Sequence, residues 1–207
     1  MQRVKLEFPA MPLILASQST ARAALLASAG YAFVQEASNI PEPPAAPGVA
    51  WKEHICALAR AKAETVAGRH ADAWVLGADT ALWFDGLCLG KTATTAAAEA
   101  MLTRLTGRTH SIATAVCLIA PTAGRPGKRL RRQGIALATI KMRNWSPMQI
   151  RRYVAAVRPF ECAGAYALQG GGAAIVAAIR GDPSTVIGLP LTLVERFLRE
   201  LDFPQHR

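Results

Sequence analysis

The sequence predicts an α/β or mixed α+β fold. Short apolar runs of strand length alternate with segments whose apolar residues recur at helical spacing, an Asp-Gly pair divides two strand-like runs, and no internal repeat or long linker interrupts the 207 residues. A chain of this length forms one domain or two small lobes and buries roughly 70% of its unfolded surface, which is enough for a substantial core.

Residues 12–16 read as a first strand and residues 20–29 as a helix closed by Gly30 at the C′ position. Between them, Ser17, Gln18, Ser19 and Thr20 place hydroxyls and free N–H groups at a helix start, an arrangement that caps a helix or receives an anion. Arg22 lies in the first turn, where a cation opposes the helix dipole unless an anion sits beside it. Residues 37–49 form a proline-rich loop around Glu42. Residues 51–66 are helical, with Ile55, Leu58, Ala59 and Val66 turned inward, and Lys62 reads as a surface lysine that snorkels.

The central stretch is W-V-L-G-A-D-T-A-L-W-F-D-G-L-C-L-G-K, residues 74–91. Residues 74–76 predict a short buried strand that turns at Gly77, leaving Asp79 at its end, where an α/β sheet opens onto a ligand crevice. Residues 81–84 and 87–89 flank Asp85-Gly86 and predict a hairpin that returns Lys91 towards Asp79. A carboxylate and an ammonium on one cleft suit a metal-bound phosphate substrate, although an N-cap acid beside a surface lysine gives the same pattern.

Further along, residues 95–105 are helical, residues 107–110 make a polar turn, and residues 112–119 form a strand. His110, alone at a strand entrance, is read as structural. Residues 129–142 predict a long, half-exposed strand, and Ser146-Pro147-Met148-Gln149 predicts a capping box opening a helix over 146–157. After E-C-A-G-A-Y-A-L-Q (161–169) and three glycines, residues 173–179 predict another buried strand, residues 180–183 a turn, and residues 190–201 a closing amphipathic helix. Gln169 carries an amide able to read a base edge.

Composition bounds the function. The chain is 51% hydrophobic, largely through alanine, and no run approaches the ~20 apolar residues of a membrane span. The apolar run at 11–16 is shorter than a signal-peptide core, so a cytoplasmic protein is expected. Cys56, Cys88, Cys117 and Cys162 lie far apart, which predicts reduced and mostly buried thiols rather than a zinc site or disulfide frame. A net charge of +10 favours a polyanionic partner without choosing which. The run Arg125, Lys128, Arg129, Arg131 and Arg132 concentrates part of that charge and reads as a solvated face or a binding groove. G-L-C-L-G-K-T at 86–92 mimics a P-loop but has three residues between its glycines where that motif has four.

Taken together, L-I-L-A-S-Q-S-T-A-R-A-A-L-L (13–26), L-A-R-A-K-A (58–63), G-A-D-T (77–80), L-G-K (89–91), L-T-G-R-T-H (105–110), A-G-A-Y-A-L-Q-G (163–170) and V-I-G-L-P-L (186–191) resemble the Maf family of nucleoside triphosphate pyrophosphatases. The resemblance covers residues 12–201 and implies a single Maf-like domain over 1–207. The implied fold is an elongated Maf/ITPase-like structure with a central mixed sheet and a cleft between two lobes, often dimeric. The implied reaction is hydrolysis between the α and β phosphates of a nucleoside triphosphate, aided by a divalent metal, Mg²⁺ or Mn²⁺. By position, the resemblance makes Asp79 the catalytic acid that activates water or holds the metal, with Glu42 beside it at the metal. It assigns Ser17, Arg22, Lys62, Lys91, Thr80 and Gln169 to the substrate.

The chain departs from the family pattern S-x-S-P-R-R, with Thr20 and Ala21 in place of the proline and first arginine. That loss leans towards a branch acting on 7-methyl-GTP, as do Glu161-Cys162 and Asp182-Pro183, whereas Thr80 and Gln169 lean towards a dTTP/UTP branch. Asn39 and Cys162 stand where an acid and a lysine are usual. These losses, with the basic run, frame the alternative of a nucleic-acid-binding protein on a catalytically decayed Maf scaffold. Membrane partners are not expected, and nucleic acid is the less favoured partner.

Overall fold

The computed structural model describes residues 11–204 apart from Pro47, 123–128, Glu161 and Gly170. Its frame is one mixed seven-stranded sheet in the order β2-β1-β3-β5-β6-β7, with β4 also on β3. The strands are β1 (Leu13–Leu15), β2 (Val34–Gln35), β3 (Trp74–Phe84), β4 (Leu87–Leu89), β5 (Thr109–Ile119), β6 (Arg131–Met142) and β7 (Val176–Arg180). The helices are α1 (Thr20–Ser28), α2 (Trp51–Ala67), α3 (Thr95–Leu105), α4 (Pro147–Val157), α5 (Pro183–Ile187) and α6 (Leu191–Glu200). Short β1 pairs in parallel with β2 and β3, whereas β3, β5, β6 and β7 form an antiparallel meander.

Local chemistry explains most of these elements. The Ser146 hydroxyl accepts from the Gln149 N–H and the Gln149 side chain accepts from the Ser146 N–H, closing the expected capping box of α4. Gly30 follows α1 with φ +83°, a conformation that costs glycine little. Asp85 and Gly86 both take positive φ between β3 and β4, as the Asp-Gly signal requires.

Strand periodicity sorts β3 into two faces. Gly77, Asp79 and Ala81 face α2, where Ala81 packs with Ile55, Ala59, Ala113 and Ala115. On the opposite face, Leu76 and Ala78 pack with Leu193, Val194, Phe197 and Leu198 of α6, whereas Leu82 and Phe84 pack with Leu102, Leu105, Ile150 and Val154. Thr80 lies between these two groups, on the seam of the core.

Several expectations need correction. The strand does not turn at Gly77 but runs unbroken from Trp74 to Phe84, because the glycine serves helix packing: a Cβ there would lie 2.4 Å from the Ala59 carbonyl oxygen of α2. The strand expected over 173–179 begins only at Val176, after a 3₁₀ turn Gly172–Ile175. The region read as a turn at 180–183 leads into α5, with the Asp182 carboxylate accepting from the Ser184 N–H at 2.8 Å. The sequence carries no sign of β2, whose two residues are both exposed. Cys88 is exposed, contrary to the expectation of burial, while Cys117 is buried and its thiol pushed up to about 12 by that burial.

Within the basic run, Arg125 and Lys128 lie outside the described residues. The others are engaged with protein acceptors. Arg129 donates to the carbonyls of Ala67, His70, Ala73 and Ala120, two of them around the C-terminus of α2, while Arg131 and Arg132 pair with Glu64 and Glu200. No helix among the described residues is long and apolar enough to cross a membrane.

His110 is buried, with its Nε2 2.7 Å from the Tyr166 hydroxyl, and burial lowers its pKa from 6.5 to about 4. Its neutral form therefore belongs to the folded state. A histidine whose folded pKa lies below its unfolded value contributes stability above pH 6.5 that is lost as pH falls towards 4. The total is about 3 kcal/mol. Urea unfolding at pH 7 and pH 4 is expected to show this loss in the parent protein and not in His110→Gln. A His110→Gln variant with the parent's pH dependence would contradict this structural role.

Candidate active site

The short length of β1 creates the site. β1 covers the β3 edge through Leu76, and the Ala16 N–H adds a bond to the Leu76 carbonyl; β4 covers the same edge only from Leu82. Residues 77–81 of β3 are left without a strand partner on that side. This notch opens at the carboxyl end of parallel β1, the kind of place where α/β sheets bind ligands. Asp79 and Thr80 occupy it, pointing to opposite faces of the strand.

On the α2 face, Lys62 belongs to the buried stripe of its helix, with Ile55, Ala59, Ala63 and Val66, and is 6% exposed. It is therefore not the snorkelling surface lysine expected from its side-chain chemistry. Its ammonium donates to Asp79 Oδ1 at 2.6 Å and pairs with Glu42 Oε1 at 2.7 Å. Glu42 reaches in from the exposed loop before α2, and Lys91, exposed beyond β4, contributes to its electrostatic surroundings.

The two carboxylates respond differently to one shared cation. Burial raises the Asp79 pKa above the ordinary aspartate value and outweighs the opposing pull of Lys62 and Arg22. Burial also acts on Glu42, but the hydrogen bond and charge of Lys62, helped by Lys91 and Arg22, hold its carboxyl below the usual glutamate value. Asp79 is thus the carboxylate poised to take a proton.

On the other side of the strand lies Arg22, set at the start of α1. The Ser19 hydroxyl caps this helix by accepting from the Arg22 N–H at 3.3 Å, and Ser17 Oγ accepts from the Ser19 N–H at 3.2 Å. The guanidinium donates from Nε to the Gly188 carbonyl at 2.8 Å, from Nη1 to Ser17 Oγ at 3.2 Å and from Nη2 to Thr80 Oγ1 at 3.1 Å. Burial lowers its pKa, and the charges of Asp79 and Glu42 pull in the opposite direction.

Of the residues expected at the site, Ser17, Arg22, Glu42, Lys62, Asp79 and Thr80 therefore converge, with Lys91 within electrostatic range. Gln169 is exposed on the loop after the 3₁₀ turn Ala163–Ala165, and its amide does not join this hydrogen-bonded cluster among the described residues. Asn39, standing where an acid is usual, has φ +52°, a left-handed conformation that asparagine tolerates. Sequence reasoning missed Thr114, Thr185 and Gly188, which stand behind Arg22 and Thr80. Two signals were present: a threonine inside the apolar run of β5, and an Asp-Pro helix start followed by a glycine stop.

No group of three or more His, Cys, Asp or Glu side chains converges as a metal cage among the described residues. Asp79 and Glu42 nevertheless direct one oxygen each at a single cation, here the Lys62 ammonium. Two carboxylates completed by substrate phosphates and water are a donor set suited to Mg²⁺ or Mn²⁺. The residues present fit such an ion.

A family model described as Maf-like protein matches residues 12–201. The chain is 43% identical over 192 residues to a dTTP/UTP pyrophosphatase from Moorella thermoacetica, covering 90% of this chain and 93% of that protein. It is 38% identical over 192 residues to a 7-methyl-GTP pyrophosphatase from Xanthomonas campestris, covering 92% and 96%. A solved HAM1 protein from Coxiella burnetii aligns at 17% identity and a TM-score of 0.39, covering 64% of this chain and 73% of that one.

Proposed function

The chain belongs to the Maf family, and from that premise we propose that it is a cytoplasmic nucleoside triphosphate pyrophosphatase. It cleaves the bond between the α and β phosphates, giving a nucleoside monophosphate and pyrophosphate. The substrate is dTTP/UTP or 7-methyl-GTP, the classes named for its relatives. The observation that carries this reading is the convergence of the Asp79 and Glu42 carboxylates on one cation position, in a notch that also holds the Arg22 guanidinium.

Asp79 and Glu42 would hold the divalent ion, which when bound neutralises phosphate charge and acidifies water. Ionised Asp79 accepts a hydrogen bond from the attacking water and takes its proton. Arg22, Lys62 and Lys91 bind the triphosphate and offset charge on the departing pyrophosphate, and Ser17 holds one arm of Arg22. Gln169, on its exposed loop, is assigned to the base. The homodimer implied by the resemblance is tested by sedimentation.

The primary experiment measures pyrophosphate against orthophosphate release from dTTP, UTP, CTP and 7-methyl-GTP with Mg²⁺ or Mn²⁺. Pyrophosphate release is expected, and the best substrate identifies the branch. Orthophosphate as the first product, or no turnover by folded protein, would refute the reading.

Lys62→Met gives a second expectation. It removes the hydrogen-bonded charge that holds the Asp79 pKa down, so that pKa rises further. Activity that requires ionised Asp79 is then lost at a higher pH on the acid side. The unpaired buried carboxylate also lowers stability at pH 7 by about 3 kcal/mol, a loss relieved as acid protonates it. An unchanged acid limb in the pH–rate profile would show that Lys62 does not tune Asp79.

A further inference from the structure

Behind the Arg22 guanidinium, a line of hydroxyls runs through the sheet into α5. Thr80 on β3 and Thr114 on β5 are directly paired in register, and their Oγ1 atoms lie 2.9 Å apart. Thr114 is fully buried, and its hydroxyl donates to the Thr185 carbonyl at 2.7 Å. A threonine has one hydroxyl proton, so Thr114 has none left for Thr80 and must accept there. Thr80 therefore donates to Thr114, and its oxygen accepts from Arg22 Nη2 at 3.1 Å. The order is fixed as Arg22 N–H to Thr80, Thr80 O–H to Thr114, and Thr114 O–H to the Thr185 carbonyl.

This order has two consequences. Thr80 has spent its only proton on the protein and has none for a substrate oxygen, so its part at the site is to receive Arg22. The guanidinium, meanwhile, has given one N–H each to Gly188, Ser17 and Thr80. Of its five N–H groups, two remain for an anion, one on each Nη. Successive donation polarises each hydroxyl and strengthens its neighbour's bond, and the chain holds a long side chain in one orientation. A phosphate then meets a prepared fork and need not order a mobile one.

We propose that Thr114, anchored by the Thr185 carbonyl, is a positioning residue that acts through Thr80 to fix Arg22 for the triphosphate. The assignment rests on the pyrophosphatase reading above. Gly188 completes the support: its carbonyl receives Arg22 Nε, and a Cβ there would lie 3.2 Å from both Arg22 Nε and Thr80 Oγ1.

The test is calorimetric binding of inorganic tripolyphosphate with Mg²⁺, which needs neither turnover nor a particular base. Alongside it, pyrophosphate release from the nucleotide panel is followed. Thr114→Val, which keeps shape and removes the hydroxyl, is expected to weaken binding about tenfold, the loss of roughly one net hydrogen bond. Thr114→Ser is expected to bind as the parent does. The double variant Thr114→Val/Arg22→Ala is expected to bind no more weakly than Arg22→Ala alone, which a merely structural role would not produce. Thr80→Val, at a half-buried position, removes the middle of the line and gives the same loss if Thr114→Val does not fold. Parent-like binding by the valine variants, or a full additional loss on top of Arg22→Ala, would overturn the assignment and leave the pyrophosphatase reading intact. A parent protein that neither binds tripolyphosphate nor releases pyrophosphate would overturn both.

Discussion

Asp79→Asn is expected to lower pyrophosphate release by about 10²–10⁴-fold, the range associated with losing a positioned proton acceptor. The substitution keeps the shape of the side chain and removes both its basicity and its charge. Lys62 retains Glu42 as an ionic partner, so the loss of activity is not a loss of folding. Stability should move the other way. Burial raises the folded pKa of Asp79 above its ordinary value, so the native state binds more protons than the unfolded chain between those two values. Stability from this group is therefore greatest at low pH and declines as pH rises through that interval. Asparagine carries no such penalty, and Asp79→Asn is expected to melt at or above the parent temperature at pH 7. Full activity in the variant would remove Asp79 from the reaction. A large fall in melting temperature would mean that the carboxylate mainly serves the fold.

The opposing effects on activity and stability also show what could be read from the residues and what could not. Helices α2, α3, α4 and α6 follow from apolar spacing and from the Ser146–Gln149 capping box, because periodicity and capping are local. The Asp85-Gly86 hairpin is legible for the same reason. Asp79 stood out as a lone acid in an apolar run, but its surroundings depend on where β1 and β4 stop along β3, which is a property of register. Lys62 reads as a surface residue because four carbons and an ammonium on a helix ordinarily reach water; only the packed sheet places Asp79 opposite it. Thr114 carries no clear signal, since one threonine inside a strand of apolar residues is compatible with simple burial. Its meaning lies in partners 34 and 71 positions away. The basic run reads as a solvated face or a binding groove, and only the fold shows that Arg129 spends its donors on four backbone carbonyls.

Gly77→Ala is expected to lower stability by about 3 kcal/mol through overpacking. The added Cβ would meet the Ala59 carbonyl oxygen at 2.4 Å, the Ala63 N at 2.8 Å and the Ala63 Cβ at 2.9 Å. Two of these atoms are backbone in the interior of α2, so no side-chain rotation relieves the contact and the helix must withdraw from the sheet. Lys62 immediately precedes Ala63 and moves with it. Its 2.6 Å bond to Asp79 and 2.7 Å contact with Glu42 cannot both survive a displacement on the order of 1 Å. A misplacement of that size in a catalytic constellation costs about 10²-fold in rate, so kcat/KM should fall with the urea midpoint. Gly90→Ala provides the contrast, since a Cβ there meets nothing within 4 Å. It should leave the midpoint unchanged. If Gly77→Ala matched the parent in both stability and kcat/KM, the close approach of α2 would not be what sets Lys62 against Asp79. If stability fell while kcat/KM held, the helix would be free to shift without disturbing the site, and the carboxylate pair would have to be positioned from the Glu42 loop instead.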